Sequence, residues 1–280
     1  MNDFIELRLH IHPFDPWSDV LSQDLADIGY DSFQSESPYL QAYISSADFD
    51  EGKVLQLFQG YEGVVEISHE TSVIPAKNWN EEWESNFKPV LIDNRIYIRA
   101  PFHPDNPKAT YEIKLTPKMS FGTGHHATTH MMLLEMLDID FIDKKVLDVG
   151  SGTAVLAILA EMLGGVEILA IDNDDWAVLN GNENKEINNC QKIIVEKAEV
   201  QSVSENGYNV ILANINRNVI INDLSKYADL LSTGGQLLLS GFHHGEADDL
   251  LELGKQSGLS EVNRRTQGEW CMLHLQKPTN

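Results

Sequence analysis

Lys145-Val146-Leu147-Asp148-Val149-Gly150-Ser151-Gly152-Thr153-Ala154 is an apolar run rich in β-branched residues that halts at two glycines. Leu156, Ala157, Ile158, Leu159 and Ala160 follow, and Val166 to Asp172 is a second apolar run ending on an acid. The pattern predicts strand, tight turn, helix and strand, the repeating unit of a doubly wound α/β sheet. Glycines at the turn, having no Cβ, are expected to bring backbone N–H groups at the helix start against a ligand, with Asp172 as a fixed acceptor beyond them.

Three ligand classes use such a unit, and spacing separates them. A dinucleotide fingerprint, G-x-G-x-x-G, needs a third glycine for close helix–strand packing, and Val155 stands at that position. A phosphate-cradling loop needs Gly-Lys-Ser/Thr at the helix start, and no lysine lies between Lys145 and Lys185. What remains is an adenosyl ligand without phosphates, its ribose diol held by Asp172 through charge-assisted hydrogen bonds of roughly 1.5–3 kcal/mol each. That points to S-adenosylmethionine, with Gly150, Gly152 and Asp172 as contacts. The alternative is an ordinary βαβ unit with a glycine-rich turn and no ligand.

A chain of 280 residues with 42% hydrophobic content has room for one large domain or two modest ones. Acidic residues outnumber basic ones 43 to 20, and the formal charge of −23 repels a phosphate backbone while attracting a basic partner. Direct nucleic-acid binding is not expected, and solubility alone would explain the same charge. Cys190 and Cys271 give neither a disulfide framework nor a metal spacing, and the N-terminus lacks a basic segment followed by an apolar run. A cytoplasmic protein is the expectation. The most apolar region, Val146 to Ile171, is broken by Asp148, Glu161, Glu167 and four glycines, so it reads as a buried parallel-sheet core rather than a membrane span.

From Phe4 to Ile11 polar and apolar residues alternate, which predicts a strand. A helix starts at Asp15-Pro16-Trp17 and stops before Gly29, strands follow near 32–36 and 40–45, then a helix over 49–59 and a strand over 64–74. The order βαββαβ is the ferredoxin-like arrangement, giving a small recognition domain over 1–75. His10 and His12 would need a third ligand to bind a metal; a solvated pair is the plainer reading, and no metal is expected. Trp79, Trp83 and Phe87 recur every four residues, predicting a linker helix within 76–90 and a hinge there.

In the remaining domain, 91–280, Met119 to His130 is the second informative stretch. Gly122 and Gly124 flank Thr123 in a candidate lid, and Ala127-Thr128-Thr129 opens a helix to Leu137. His125 and His126 are adjacent and project differently, which favours hydrogen-bonding or positioning roles. After Asp172, helices and strands alternate: helix 174–188, strands 192–195 and 208–212, helix 218–231, strand 236–240, helix 246–257, and antiparallel strands 259–266 and 269–276. Gly150, Asp172 and Asn214 then lie at the carboxyl ends of strands, where such sheets bind ligands. Asn214 is placed to orient a nucleophile or, alternatively, only to cap its loop. Ile215-Asn216-Arg217 after it lacks the Pro-Pro-aromatic platform of enzymes that methylate flipped bases.

Phe121-Gly122-Thr123-Gly124-His125-His126-Ala127-Thr128-Thr129, Leu147 to Gly152, Asp172 and Asn214 together resemble the ribosomal protein L11 methyltransferase family (PrmA type). The resemblance covers the whole chain, including Trp79-Asn80-Glu81-Glu82-Trp83. It implies a class I methyltransferase, Rossmann-like doubly wound sheet with a C-terminal antiparallel hairpin. It also implies S-adenosylmethionine as cofactor, bound by Thr129, Gly150, Asp172 and Asn214, with Phe121 in the loop over it. Asn214, Phe121 and His126 are the expected catalytic set. The targets would be lysine side chains and an N-terminal amine of a large-subunit ribosomal protein, gripped by the N-terminal module of a monomeric enzyme. One departure is Ala154, where relatives carry a third glycine and where the extra methyl is expected to tighten the pocket. The rival readings are a methyltransferase for another protein or small molecule, and a non-catalytic adenosyl-binding protein.

Overall fold

The computed structural model describes residues 3–74, 87–116, 118 and 121–279, and the chain divides into two compact units, Met1–Trp79 and Asn80–Asn280. In the first unit the elements run β1 (Phe4–His12), α1 (Trp17–Asp27), β2 (Ser32–Glu36), β3 (Tyr39–Ser45), α2 (Glu51–Gln59) and β4 (Glu66–Ile74). All pairings are antiparallel, in the order β2-β3-β1-β4. The alternation in β1 turns Ile5, Leu7, Leu9 and Ile11 inward, where they pack with Leu21, Leu25 and Val54. Asp50 starts α2 by accepting from the N–H groups of Gly52 and Lys53. The linker helix expected over Trp79 and Trp83 lies outside the described residues. Phe87, the last residue of that stripe, is buried against the rings of His103 and His125.

The second unit begins with a small sheet of β5 (Val90–Ile92), β6 (Ile96–Arg99) and β7 (Tyr111–Lys114), followed by α3 (Ala127–Met136). Then come β8 (Lys145–Val149), α4 (Val155–Met162), β9 (Glu167–Asp172), α5 (Asp175–Ile187), β10 (Ile193–Lys197), β11 (Tyr208–Asn214) and α6 (Arg217–Leu230). The chain closes with β12 (Leu231–His243), α7 (Ala247–Gln256), β13 (Ser260–Gln267) and β14 (Trp270–Gln276). The large sheet has the order β10-β9-β8-β11-β12-β14-β13. Strands β10 to β12 are parallel, and β14 runs antiparallel to both β12 and β13.

Alternation along β8 splits the core. Val146 faces one cluster with Met132, Val155 and Ile158, while Leu147 and Val149 face the other with Ile220, Leu224 and Leu250. Sheet order reverses between β8 and β11, which opens a crevice at their carboxyl ends. Strand β12 is far longer than the expected 236–240. Pairing with β11 starts at Leu231, and pairing with β14 carries it to His243. Gly241 hides that continuation from a sequence pattern. It sits in the strand at φ +102, where a Cβ would fall on the carbonyl of Ile215. Among the described residues no helix is long and apolar enough to cross a membrane.

Candidate functional site

The turn after β8 is held from beneath and from the side. Gly150 and Ser151 donate their N–H groups to the Ile171 carbonyl at 2.8 and 3.0 Å, and Gly152 donates to Asp172 Oδ2 at 2.9 Å. Thr153 donates its N–H to the Phe121 carbonyl at 3.0 Å and its hydroxyl to the Gly122 carbonyl at 2.7 Å. The loop from Phe121 is thereby tied to the turn. Gly152 permits this approach, since at its φ of +54 a Cβ would lie 2.5 Å from the Phe121 carbonyl oxygen. The expectation that the turn's N–H groups face a ligand is corrected: each N–H from Gly150 to Ala154 is satisfied within the protein. A turn of this kind has no donors left for phosphate, which agrees with a phosphate-free ligand.

Asp172 is fixed at both oxygens, Oδ2 by Gly152 and Oδ1 by the Asp174 N–H at 3.1 Å. A carboxylate has about four acceptor sites, so each oxygen keeps capacity for a hydroxyl donor. It lines a cavity of about 770 Å³ shared with Phe121, His126, Gly150, Gly152, Asn214 and Trp270. That volume is in the range of small-molecule sites.

Asn214 ends β11 and is 8% exposed; its Nδ2 donates to Thr129 Oγ1 at 3.2 Å, and its buried Oδ1 has no partner among the described residues. Thr129 is fully buried and stands behind Asn214, while Thr128 lines the cavity. His126 caps α3, its Nδ1 accepting from the Thr128 N–H and lying 2.8 Å from Thr128 Oγ1. With Nδ1 engaged as an acceptor, the ring proton is assigned to Nε2. His125 points elsewhere, its nitrogens at 3.0 Å from Thr123 Oγ1 and 2.9 Å from the Lys88 carbonyl. Phe121 is 56% exposed at the cavity mouth, against His126.

Sequence reasoning missed three groups. Asp148 is 1% exposed; Oδ2 accepts from the Ala157 N–H at 3.1 Å, and Oδ1 has no partner among the described residues. Burial pushes its pKa up to about 7, against the Ala157 hydrogen bond and with help from the Asp172 charge. An acid inside a β-branched run is a visible signal for such a group. Trp270 lines the cavity from the start of β14, where a lone aromatic looks like ordinary strand core. Glu135 lies on α3 and joins that helix to β13 and β14 through Asn263, Arg265 and His274.

The sequence profile of the ribosomal protein L11 methyltransferase (PrmA) family matches residues 20–278. A curated ribosomal protein L11 methyltransferase of Bacteroides thetaiotaomicron is 38% identical over 272 residues, 96% of this chain and 97% of that one. The Porphyromonas gingivalis relative of the same name is 38% identical over 261 residues, 92% of this chain and 90% of its own. The chain belongs to the ribosomal protein L11 methyltransferase family. A crystal structure of ribosomal protein L11 methylase from Lactobacillus delbrueckii subsp. bulgaricus covers 69% of this chain and 100% of its own, with a TM-score of 0.63 and 22% identity. The class I methyltransferase-like α/β fold of this family member is shown by that match together with its mixed central sheet.

Its Ala154 behaves differently from expectation. The residue is left-handed at φ +60 and fully buried, and its methyl faces Gly181 on α5, whose own Cβ would stand 3.4 Å from it. Turned toward α5, the methyl does not line the cavity and so does not tighten it. A backbone cost of about 1–2 kcal/mol is offset in part by roughly 0.8 kcal/mol from burying the methyl.

Proposed function

We propose that the chain transfers methyl groups from S-adenosylmethionine to lysine side chains and the N-terminal amine of ribosomal protein L11, at the crevice between β8, β9 and β11. The observation that carries this is a pair of acceptors: the doubly fixed carboxylate of Asp172, and the buried amide oxygen of Asn214, which has no partner among the described residues. A neutral amine or a ribose hydroxyl satisfies such acceptors; a phosphate does not. When bound, the cofactor supplies an electrophilic methyl on a positively charged sulfur.

The chain's own residues do the rest. Asp172 accepts from the ribose diol. The left-handed Gly150 backbone forms the floor of the crevice beside Ile215. Thr129 holds the Asn214 amide at the cavity wall, leaving Oδ1 as the acceptor offered to the amine, and the Phe121 loop, tied down through Thr153, excludes water. His126 positions the start of α3 with its Nδ1 already used, which leaves it as a spacer rather than a base. A free lysine near pKa 10.4 must lose its proton, at a cost of about 4–5 kcal/mol at pH 7. Desolvation and a neighbouring positive sulfur both disfavour the ammonium form, so no dedicated base is demanded.

The first unit is read as a ferredoxin-like module that grips the protein substrate, supported by its βαββαβ order and antiparallel sheet. Its charge suits a basic partner: between residues 3 and 74 the many acids face only Arg8 and Lys53. A formal charge of −23 opposes both self-association and nucleic-acid binding, in keeping with a cytoplasmic monomer acting on a basic protein. Asn214→Ala, assayed with cofactor saturating, lowers turnover about 100-fold or more, because a small misplacement of the nucleophile costs that much. Unchanged turnover would remove Asn214 from the mechanism.

A further inference from the structure

One wall of the cavity plays no part in holding the sugar. Across the crevice stand, in sheet order, Asp172 on β9, Gly150 just after β8, Asn214 on β11, Gly241 on β12 and Trp270 on β14, all lining one cavity. On the other side of Asp172 the cavity runs to Ala198, Glu199 and Val200, after β10. With the sugar at Asp172, the acceptor amine must arrive on the Asn214 to Trp270 side.

That side is aromatic. The indole of Trp270 stacks on His243 at 4.5 Å with the planes 27° apart, and it meets His126 edge-on at 4.7 Å and 69°. His126 in turn meets Phe121 at 5.3 Å. Two ring contacts and strand pairing to His243 hold the indole in place, and Trp270, His126 and Phe121 all line the cavity.

We propose that Trp270, supported by His126 and Phe121, determines how many methyl groups one amine receives. The inference rests on the placement of the donor at Asp172 proposed above. In each turn the nitrogen lone pair forms the new N–C bond, the C–S bond breaks with its electron pair left on sulfur, and the ammonium so formed gives a proton to water before another turn. Every added methyl replaces an N–H donor with C–H. A pocket lined by acceptors loses a hydrogen bond each time and strands a buried oxygen. A π wall loses nothing, because ring faces attract methylated ammonium as well as unmethylated ammonium, and more strongly where water is excluded. With Asn214 Oδ1 for the first N–H and aromatic rings for the remainder, the amine is held in each methylation state.

The test compares the full-length wild type with Trp270→Phe and Trp270→Ala. One readout is the ladder of methylated species on ribosomal protein L11, followed by intact mass. The other needs no turnover: titration of the cofactor-free protein with ribosomal protein L11 whose amines have been dimethylated chemically, against the unmodified protein. Trp270→Ala is expected to stall the ladder at its first step and to weaken binding of the dimethylated protein about tenfold more than that of the unmodified one, with Trp270→Phe restoring most of both. An unchanged ladder in Trp270→Ala, equal weakening for both ligands, or a Trp270→Phe variant as impaired as Trp270→Ala overturns the role. If the wild type neither methylates nor binds ribosomal protein L11, the substrate reading itself has failed, a result separable from any effect of Trp270.

Discussion

Asp172→Ala is expected to weaken S-adenosylmethionine binding roughly 100- to 10,000-fold in a calorimetric titration, the sum of two charge-assisted hydrogen bonds. The carboxylate does two jobs at once. It accepts from the Gly152 and Asp174 N–H groups, and it presents its remaining lone pairs to the crevice. Removing it also withdraws the negative charge that helps raise Asp148, so the Asp148 pKa falls from about 7 in the variant. Asp172→Asn, which keeps one acceptor oxygen, falls between the variant and the wild type. Affinity within about threefold of the wild type in Asp172→Ala would mean the ribose is held elsewhere.

The second large effect is on stability. Glu135 is 3% exposed and accepts from Asn263 Nδ2 at 2.8 and 3.0 Å, from Arg265 Nε at 2.5 Å and from His274, whose Nδ1 is 2.8 Å away. His274 Nε2 lies 2.7 Å from Gln236 Oε1, so one carboxylate links α3 to β12, β13 and β14. Glu135→Ala leaves His274 without that partner in a buried place and the partly exposed Arg265 with Asp138 alone, and urea unfolding should show a loss of about 3–5 kcal/mol. Burial acts to raise the Glu135 pKa, but hydrogen bonds from Asn263, His274 and Arg265 outweigh it and the net direction is down. A carboxyl held below its ordinary value contributes stability that is complete above about pH 4.3 and is lost as pH falls through the folded-state value. Wild type should therefore lose this component on acidification, while Glu135→Ala, lacking it throughout, shows a flatter profile below that pH.

The strand-turn-helix at Val146 to Ala160 was legible because its cues are local. β-Branched residues favour extended backbone, and a missing Cβ marks where the chain must turn tightly. Asp172 and Asn214 were legible for a related reason: a polar residue closing an apolar run lies at a strand end, and strand ends face the crevice. What the turn does with its N–H groups was not legible. For Gly150 to Thr153 the acceptors, the carbonyls of Ile171 and Phe121 and the Asp172 carboxylate, come from other segments. The same holds for Ala154, whose left-handed backbone is tolerated because Gly181 leaves room on α5, and for Glu135, whose partners lie more than 120 residues away. Trp270 looks like strand core until the sheet order brings it to the crevice beside His126.

The most direct measurement is the intact mass of purified ribosomal protein L11 after incubation with this chain and S-adenosylmethionine, read beside a calorimetric titration of the cofactor alone. Saturable cofactor binding is expected, with a mass gain in whole methyl increments that is located on amines and slowed about 100-fold or more in Asn214→Ala. Cofactor that binds while ribosomal protein L11 keeps its original mass would contradict the proposed activity.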